Sequence, residues 1–232
     1  MNNRSVSIII PAWNEEENLK KLLPVITKRQ SGAILEIIVA DGGSKDGTVQ
    51  IAEKAGAKVI HCHKKRRAVQ MNEGASHARG EILFFLHADT LPPPSFDSKI
   101  ISESEKGAVS GCFQLRFDEN RPALKFYSWF TQWKTTFVRF GDQGLFVEKK
   151  AFDQSGGFDE SLTVMEDQEM VRVLKRKGNF SLLDSAVVTS ARKYRRSGYL
   201  RLQLVFTLIF ILYYTGAKQE TLVHLYNSFI KS

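Results

Sequence analysis

Short unbroken apolar runs alternate with amphipathic segments through the first half of the chain. Runs at residues 6–10, 35–39, 58–61 and 82–86 predict strands, and the intervening segments 18–30, 48–55 and 67–78 predict helices. Strands that read as continuous Ile, Val, Leu and Phe are covered on both faces, so this βα rhythm predicts a mainly parallel sheet flanked by helices. Within 67–78, Ala68, Met71, Ala75 and Ala78 share one helical face whose small size permits close packing on the sheet, which makes Met71 a core residue and not a ligand. After Pro92-Pro93-Pro94 the rhythm changes. A strand at 108–117, an aromatic-rich helix at 122–140 and a strand at 145–148 predict a smaller second lobe, with divisions expected at 1–110, 111–190 and 191–232 and the parts fused into one unit.

Residues 204–214 are nearly all apolar, but a membrane-spanning helix needs about twenty such residues, and Arg201, Gln203, Lys218 and Gln219 bracket the run. Three readings of it stand: a helix packed on the core, a homodimer surface, or an in-plane anchor on a membrane surface aided by the basic residues before it. No leader is read at the amino terminus, where the apolar run ends at Pro11. Cys62 and Cys112 lie far apart without metal-ligand spacing, so neither a disulfide framework nor a zinc site is suggested, which fits a cytoplasmic protein, with a peripheral place on the inner face of the membrane if the anchor reading holds.

At 232 residues and 43% hydrophobic composition the chain can bury a sizeable core. Its net charge of +8, with clusters at residues 64–67 and 192–196, points to anionic partners. Nucleic acid is the poorest fit, because the basic clusters carry no interleaved recognition motif and carboxylates at the strand ends would repel phosphates unless a metal intervened.

Those strand ends carry the chemistry. Open parallel sheets bind ligands beyond the carboxyl ends of their strands. Here the first run delivers Pro11, Ala12, Asn14 and Glu15, the second Asp41 and Gly43, and the fourth His87, Ala88 and Asp89, with Arg67 entering a helix beside them. Each has a plain alternative: Asp89 capping a helix near Pro94 or Ser95, Asp41-Gly42-Gly43 as a turn, and Glu15 to Glu17 as an acidic first helical turn. Three carboxyl-bearing loops on one edge are a less common arrangement. A carboxylate at that edge suits Mg²⁺ or Mn²⁺, which joins one or two carboxylates to substrate phosphates.

The blocks Ser7-Ile8-Ile9-Ile10-Pro11-Ala12-Trp13-Asn14-Glu15, Val39-Ala40-Asp41-Gly42-Gly43-Ser44, Asn72-Glu73-Gly74-Ala75 and Phe85-Leu86-His87-Ala88-Asp89, in this order, resemble those of family 2 glycosyltransferases with the GT-A fold. Gly156-Gly157-Phe158-Asp159 and then Met165-Glu166-Asp167 are similar to the family's acceptor-side block. The resemblance implies an α/β, Rossmann-like GT-A domain: a nucleotide-sugar-binding half over 1–110, an acceptor-side half over 111–190, and a basic segment with C-terminal hydrophobic helices over 191–232. It implies a metal-dependent inverting transferase that takes a sugar from a nucleotide-diphosphate donor to an acceptor hydroxyl or phosphate, lipid-linked if the membrane reading holds. Pro11, Ala12, Asn14, Glu15, Asp41, Gly43, Arg67, His87 and Ala88 would hold the nucleotide, and Asp89 the Mn²⁺ or Mg²⁺.

His87-Ala88-Asp89 departs from the family's usual Asp-x-Asp, which leaves a catalytically weak nucleotide-sugar-binding protein as an alternative. A sugar-nucleotide pyrophosphorylase is another, although the first loop lacks the glycines such enzymes carry. Glu166 and Asp167 fall at a helix amino end, where the helix dipole favours an ionised carboxylate, and Asp167 is the expected base. One base suffices, because a nucleoside diphosphate is already a good leaving group. Asp142 and Gln143 are expected to line the acceptor site, and Arg192 and Arg195 to close over the diphosphate.

Overall fold

The computed structural model describes residues 4–133 and 141–229. The first half forms β1 (Val6–Ala12), α1 (Glu16–Arg29), β2 (Ile34–Asp41), α2 (Thr48–Lys54), β3 (Lys58–His61), α3 (Arg67–Ser76) and β4 (Ile82–Phe85). There follow β5 (Thr90–Leu91), α4 (Phe96–Glu105), β6 (Ala108–Phe117), α5 (Pro122–Phe130), a 3-10 turn at Gly141–Gln143, β7 (Leu145–Glu148), α6 (Lys149–Ser155) and α7 (Glu166–Lys177). The chain continues through β8 (Asn179–Thr189), α8 (Arg192–Ser197), α9 (Tyr199–Tyr214) and α10 (Gln219–Phe229). The helix expected over 122–140 ends at Phe130, and residues 134–140 of that expectation lie outside the described residues.

One sheet, ordered β3-β2-β1-β4-β7-β6-β8-β5, runs through the molecule. β3, β2, β1 and β4 are parallel, as the apolar runs predict. Beyond β4 the sheet is mixed: β7 is antiparallel to both β4 and β6, β8 is parallel to β6, and β5 is antiparallel to β8. The expectation that β1 stops before Pro11 is corrected. β1 extends through Ala12 along β2, while its pairing with β4 ends at Ile9–Phe85, so Pro11 sits where the β4 side of the strand is already open and its missing N–H breaks no ladder.

Both faces of the sheet are covered. Ile8, Ile10 and Phe84 pack with residues of α1, α2 and α4, and Ile9, Ile38 and Phe85 with residues of α3, α6 and α7. Met71 and Ala75 lie in that second core, as expected, and Gly74 brings α3 closest, since a Cβ there would stand 2.5 Å from Ile9 Cγ2. A third cluster joins Leu124 of α5, Ala191, Tyr194, and Leu202, Val205 and Ile209 of α9 to Leu222 of α10. This cluster forms a helical cap of α5, α8, α9 and α10. Among the described residues no helix is long and apolar enough to cross a membrane.

Candidate active site

The carboxyl ends of β1 and β2 are knitted into one rim. Asn14, left-handed at φ 52°, donates its N–H to Ser44 Oγ (2.8 Å) and accepts the Lys45 N–H on Oδ1 (2.8 Å). The Glu15 N–H donates to Thr48 Oγ1, and Glu16 Oε2 accepts the Gly47 N–H, both at 2.8 Å. Asp41 is 2% exposed and accepts the N–H groups of Gly43 (3.0 Å) and Ser44 (3.1 Å) and the Ser44 hydroxyl, so its carboxylate shapes the loop that carries Gly43. Beneath this rim, buried Gln70 donates from Nε2 to the carbonyls of Ala12 (2.7 Å) and Ala40 (2.8 Å), tying α3 to the ends of both strands. Pro11, Ala12 and Ala88 are themselves buried, so only their backbone faces are offered to a ligand.

The segment before α7 is tied to the same helix. Asn72 of α3 donates to the Phe158 carbonyl (2.9 Å) and accepts the Phe158 N–H (2.8 Å). Gly157, at φ 77°, leaves room for that clamp, because a Cβ there would meet Asn72 Oδ1 at 2.7 Å. Met165, left-handed at φ 74°, immediately precedes α7, and Gln219 of α10 holds the residues before it by accepting the Thr163 N–H (3.2 Å) and donating to the Val164 carbonyl (3.2 Å). A non-glycine residue in this conformation persists only when its surroundings enforce it. The strained turn therefore sets where Glu166 and Asp167 stand.

Arg67, the first residue of α3, reaches Glu166 Oε1 with Nε at 2.9 Å. Glu166 is 1% exposed, and burial pushes its carboxyl up to about 7, against the opposing pull of Arg67. Asp167 is half-buried and within electrostatic reach of Arg67 and His87. His87 Nδ1 lies 2.9 Å from Asp142 Oδ1. Burial opposes a charge on either partner, but the contact with His87 holds Asp142 well below the usual carboxylate range, and Asp142 raises His87 above its ordinary value.

At the end of β1, Glu15 feels Arg192, Asp89 and Lys193, with Arg192 Nη2 3.9 Å from Glu15 Oε1. Lys193 also feels Asp142, Arg67, Asp89 and Tyr226 of α10. Asp89 is thus within electrostatic reach of Glu15 and Lys193, and Asp167 of Arg67 and His87.

Two expected residues stand elsewhere. Gln143 is fully buried and donates to the Phe113 carbonyl (3.1 Å), so it anchors the 3-10 turn that presents Asp142. Arg195 pairs with Glu119 at the exposed edge beside Tyr199. Lys193, Tyr226, Gln70 and Gln219 were not anticipated. Lys193 lay within a basic cluster visible in the sequence, but which cation of that cluster faces the cleft depends on how α8 seats on Ala191 and Tyr194.

The residues at Asp89 fit a hard divalent ion. Its carboxylate is half-exposed at a strand end, its side chain meets the Thr90 hydroxyl at 3.4 Å, and no cation pairs with it at ion-pair distance among the described residues. No group of three or more His, Cys, Asp or Glu residues that could hold a metal occurs among the described residues. That donor set suits Mg²⁺ or Mn²⁺, which takes its remaining oxygens from phosphates and water, and not an ion that needs a full protein cage.

A family model described as glycosyl transferase family 2 matches residues 7–158. Undecaprenyl-phosphate 4-deoxy-4-formamido-L-arabinose transferase of Shewanella sediminis is 32% identical over 111 residues, covering 44% of this chain and 34% of the relative. Glycosyltransferase AglE of Haloferax volcanii is 28% identical over 172 residues, covering 68% of this chain and 57% of the relative. The chain thus spans only part of these curated relatives. Mannosyltransferase PcManGT from Pyrobaculum calidifontis, solved with GDP-Man and Mn²⁺, has the same fold at a TM-score of 0.68 and 19% identity, over 96% of this chain and 68% of that one. S. aureus TarS in complex with UDP superimposes at 0.67 with 18% identity, over 95% and 68% of the respective chains.

Proposed function

The chain belongs to glycosyl transferase family 2, and we propose that it moves a sugar, with inversion, from a nucleotide-diphosphate donor to an acceptor hydroxyl or phosphate. The observation that carries this reading is the polar rim at the carboxyl ends of β1 and β2, beside the Arg67–Glu166 and His87–Asp142 pairs (both 2.9 Å) that tie α3 and the β4 end to the α7 turn and the 3-10 turn. Residues 1–110 form the donor half, 111–190 the acceptor half, and 191–232 the cap.

The donor binds along the rim. Asn14, Glu15 and the backbone of Pro11, Ala12 and Gly43 hold the nucleoside, with Asp41 acting through the loop it organises. Arg67, Arg192 and Lys193 face the diphosphate, His87 and Ala88 line its floor, and Asp89 is the ligand for Mn²⁺ or Mg²⁺. A divalent ion bound there supplies charge neutralisation at the diphosphate.

Asp167, at the amino end of α7, accepts the acceptor's proton as its oxygen attacks the anomeric carbon. The new C–O bond forms opposite the bond to the diphosphate, which leaves with that electron pair, so one displacement inverts the centre. Glu166 is buried beneath and holds Arg67 in place. His87 holds Asp142 at the acceptor edge. The named relatives that act on undecaprenyl phosphate support a lipid-linked acceptor.

The test is release of nucleoside diphosphate from a panel of UDP-, GDP-, CDP- and dTDP-sugars with Mn²⁺, read with and without polyprenyl phosphate, followed by proton NMR of the product's anomeric centre. Release from one donor class, stopped by EDTA and giving an inverted product, is expected. A product of retained configuration would refute the single displacement, and binding without release from any donor would favour a sugar-nucleotide-binding protein.

A further inference from the structure

The cap is apolar on two sides, and only one of them is used. Leu202, Val205 and Ile209 of α9 are buried against α5, α8 and α10. On the opposite face Leu200, Leu204, Leu208 and Ile211, spaced to form one continuous stripe on the helix, are 72%, 70%, 44% and 52% exposed. Such a stripe on an otherwise charged protein marks a contact surface. α5, packed on the buried face of α9, also leaves Phe126 and Trp129 exposed.

What the stripe fits is set by the charge around it. Over residues 191–229 the chain carries six Lys and Arg against one acidic residue, Glu220. Arg196 is exposed on α8 just before α9, and Arg201 is exposed at the stripe's edge, with its guanidinium 5.3 Å from the ring centre of Phe229. A second copy seated here would bring these cations against their own likeness. An anionic bilayer would meet apolar side chains with acyl chains and arginines with headgroups.

We propose that the exposed face of α9 docks in the plane of an anionic membrane surface. The docking helix is also fastened to the catalytic turn. Tyr213 of α9 donates to Glu169 of α7 (2.7 Å), and Gln219, just beyond it, holds Val164. Docking would therefore tie the turn that carries Asp167 to the membrane-bound helix, a consequence that rests on the transfer reading, whereas the docking itself does not.

The test is co-sedimentation of the full chain with vesicles of phosphatidylcholine alone and of phosphatidylcholine with phosphatidylglycerol, at low and high salt. Light scattering gives the oligomeric state, and Tm shows that each variant is folded. Binding is expected only to the anionic vesicles and is weakened by salt. It should fall about fivefold for each of Arg196→Gln and Arg201→Gln and by more than about tenfold for Leu204→Glu with Ile211→Glu. Tm should hold, because the replaced side chains are exposed. The proposal is overturned by no binding to anionic vesicles, by binding that the leucine and isoleucine replacements leave intact, or by a dimer that those replacements split in a protein that ignores vesicles. Any of these results leaves the donor chemistry standing.

Discussion

Asp167→Asn is expected to lower kcat by about 10²- to 10⁴-fold, the usual loss for a positioned general base, while the Kd for the nucleotide changes little. Asp167 is half-buried and seated at a helix amino end, whereas its neighbour Glu166 is sealed from solvent. The amide keeps the size of the side chain and its place after the strained Met165 but cannot take a proton. Kinetics paired with calorimetric titration of the nucleoside diphosphate separates the two effects. A matching loss of nucleotide affinity would move Asp167 from base to binding residue, and unchanged turnover would remove it from the mechanism. Glu166→Gln should cost far less in kcat, because its role is to hold Arg67.

Arg67→Met should destabilise the fold by about 1–3 kcal/mol, less than the roughly 3–5 typical of breaking a fully buried pair, because the Arg67 side chain is 36% exposed. The loss leaves Glu166 buried without its cation. Its carboxyl already sits at about 7 instead of 4.5 because of burial, and removing Arg67 takes away the main opposing influence. A carboxyl raised in the folded state contributes stability that is present below its unfolded value and lost as pH rises through its folded value. The variant's Tm should therefore fall from about pH 5 to about pH 8 more steeply than the wild type's. Adding Glu166→Gln should flatten that slope and restore much of the stability without restoring donor use, because Arg67 is proposed also to face the diphosphate. Recovery of full turnover in the double variant would make Arg67 a purely structural residue.

The residues legible from sequence were those whose position follows from local pattern. Unbroken runs such as Ile8-Ile9-Ile10 identified the parallel strands, and the polar groups just beyond them had to share a rim. Glu166 and Asp167 were legible because Lys175, Arg176 and Lys177 mark the other end of the same helix. What escaped depends on contacts between distant segments. The antiparallel placement of β7 is set by its neighbours β4 and β6, and its four residues carry no signal of direction. β8 is interrupted by Asp184 and Ser185, which fall at the register shift where its pairing with β6 skips from Leu183 to Ala186. His87 and Asp142 are 55 residues apart, so neither reveals the other. Gln143 reads like its polar neighbour Asp142 until the core is assembled around it, and Arg195 reads like Lys193 until α8 is seated.

The central claim is that a nucleoside diphosphate sits on this rim with a divalent ion on Asp89. Calorimetric titration of the wild-type and Asp89→Ala proteins with UDP and GDP, with and without Mn²⁺, tests it most directly. One of the two nucleotides should bind the wild type more tightly with Mn²⁺ and bind the variant with no dependence on Mn²⁺. Binding that gains equally from Mn²⁺ in both proteins, or no binding of either nucleotide, would contradict it.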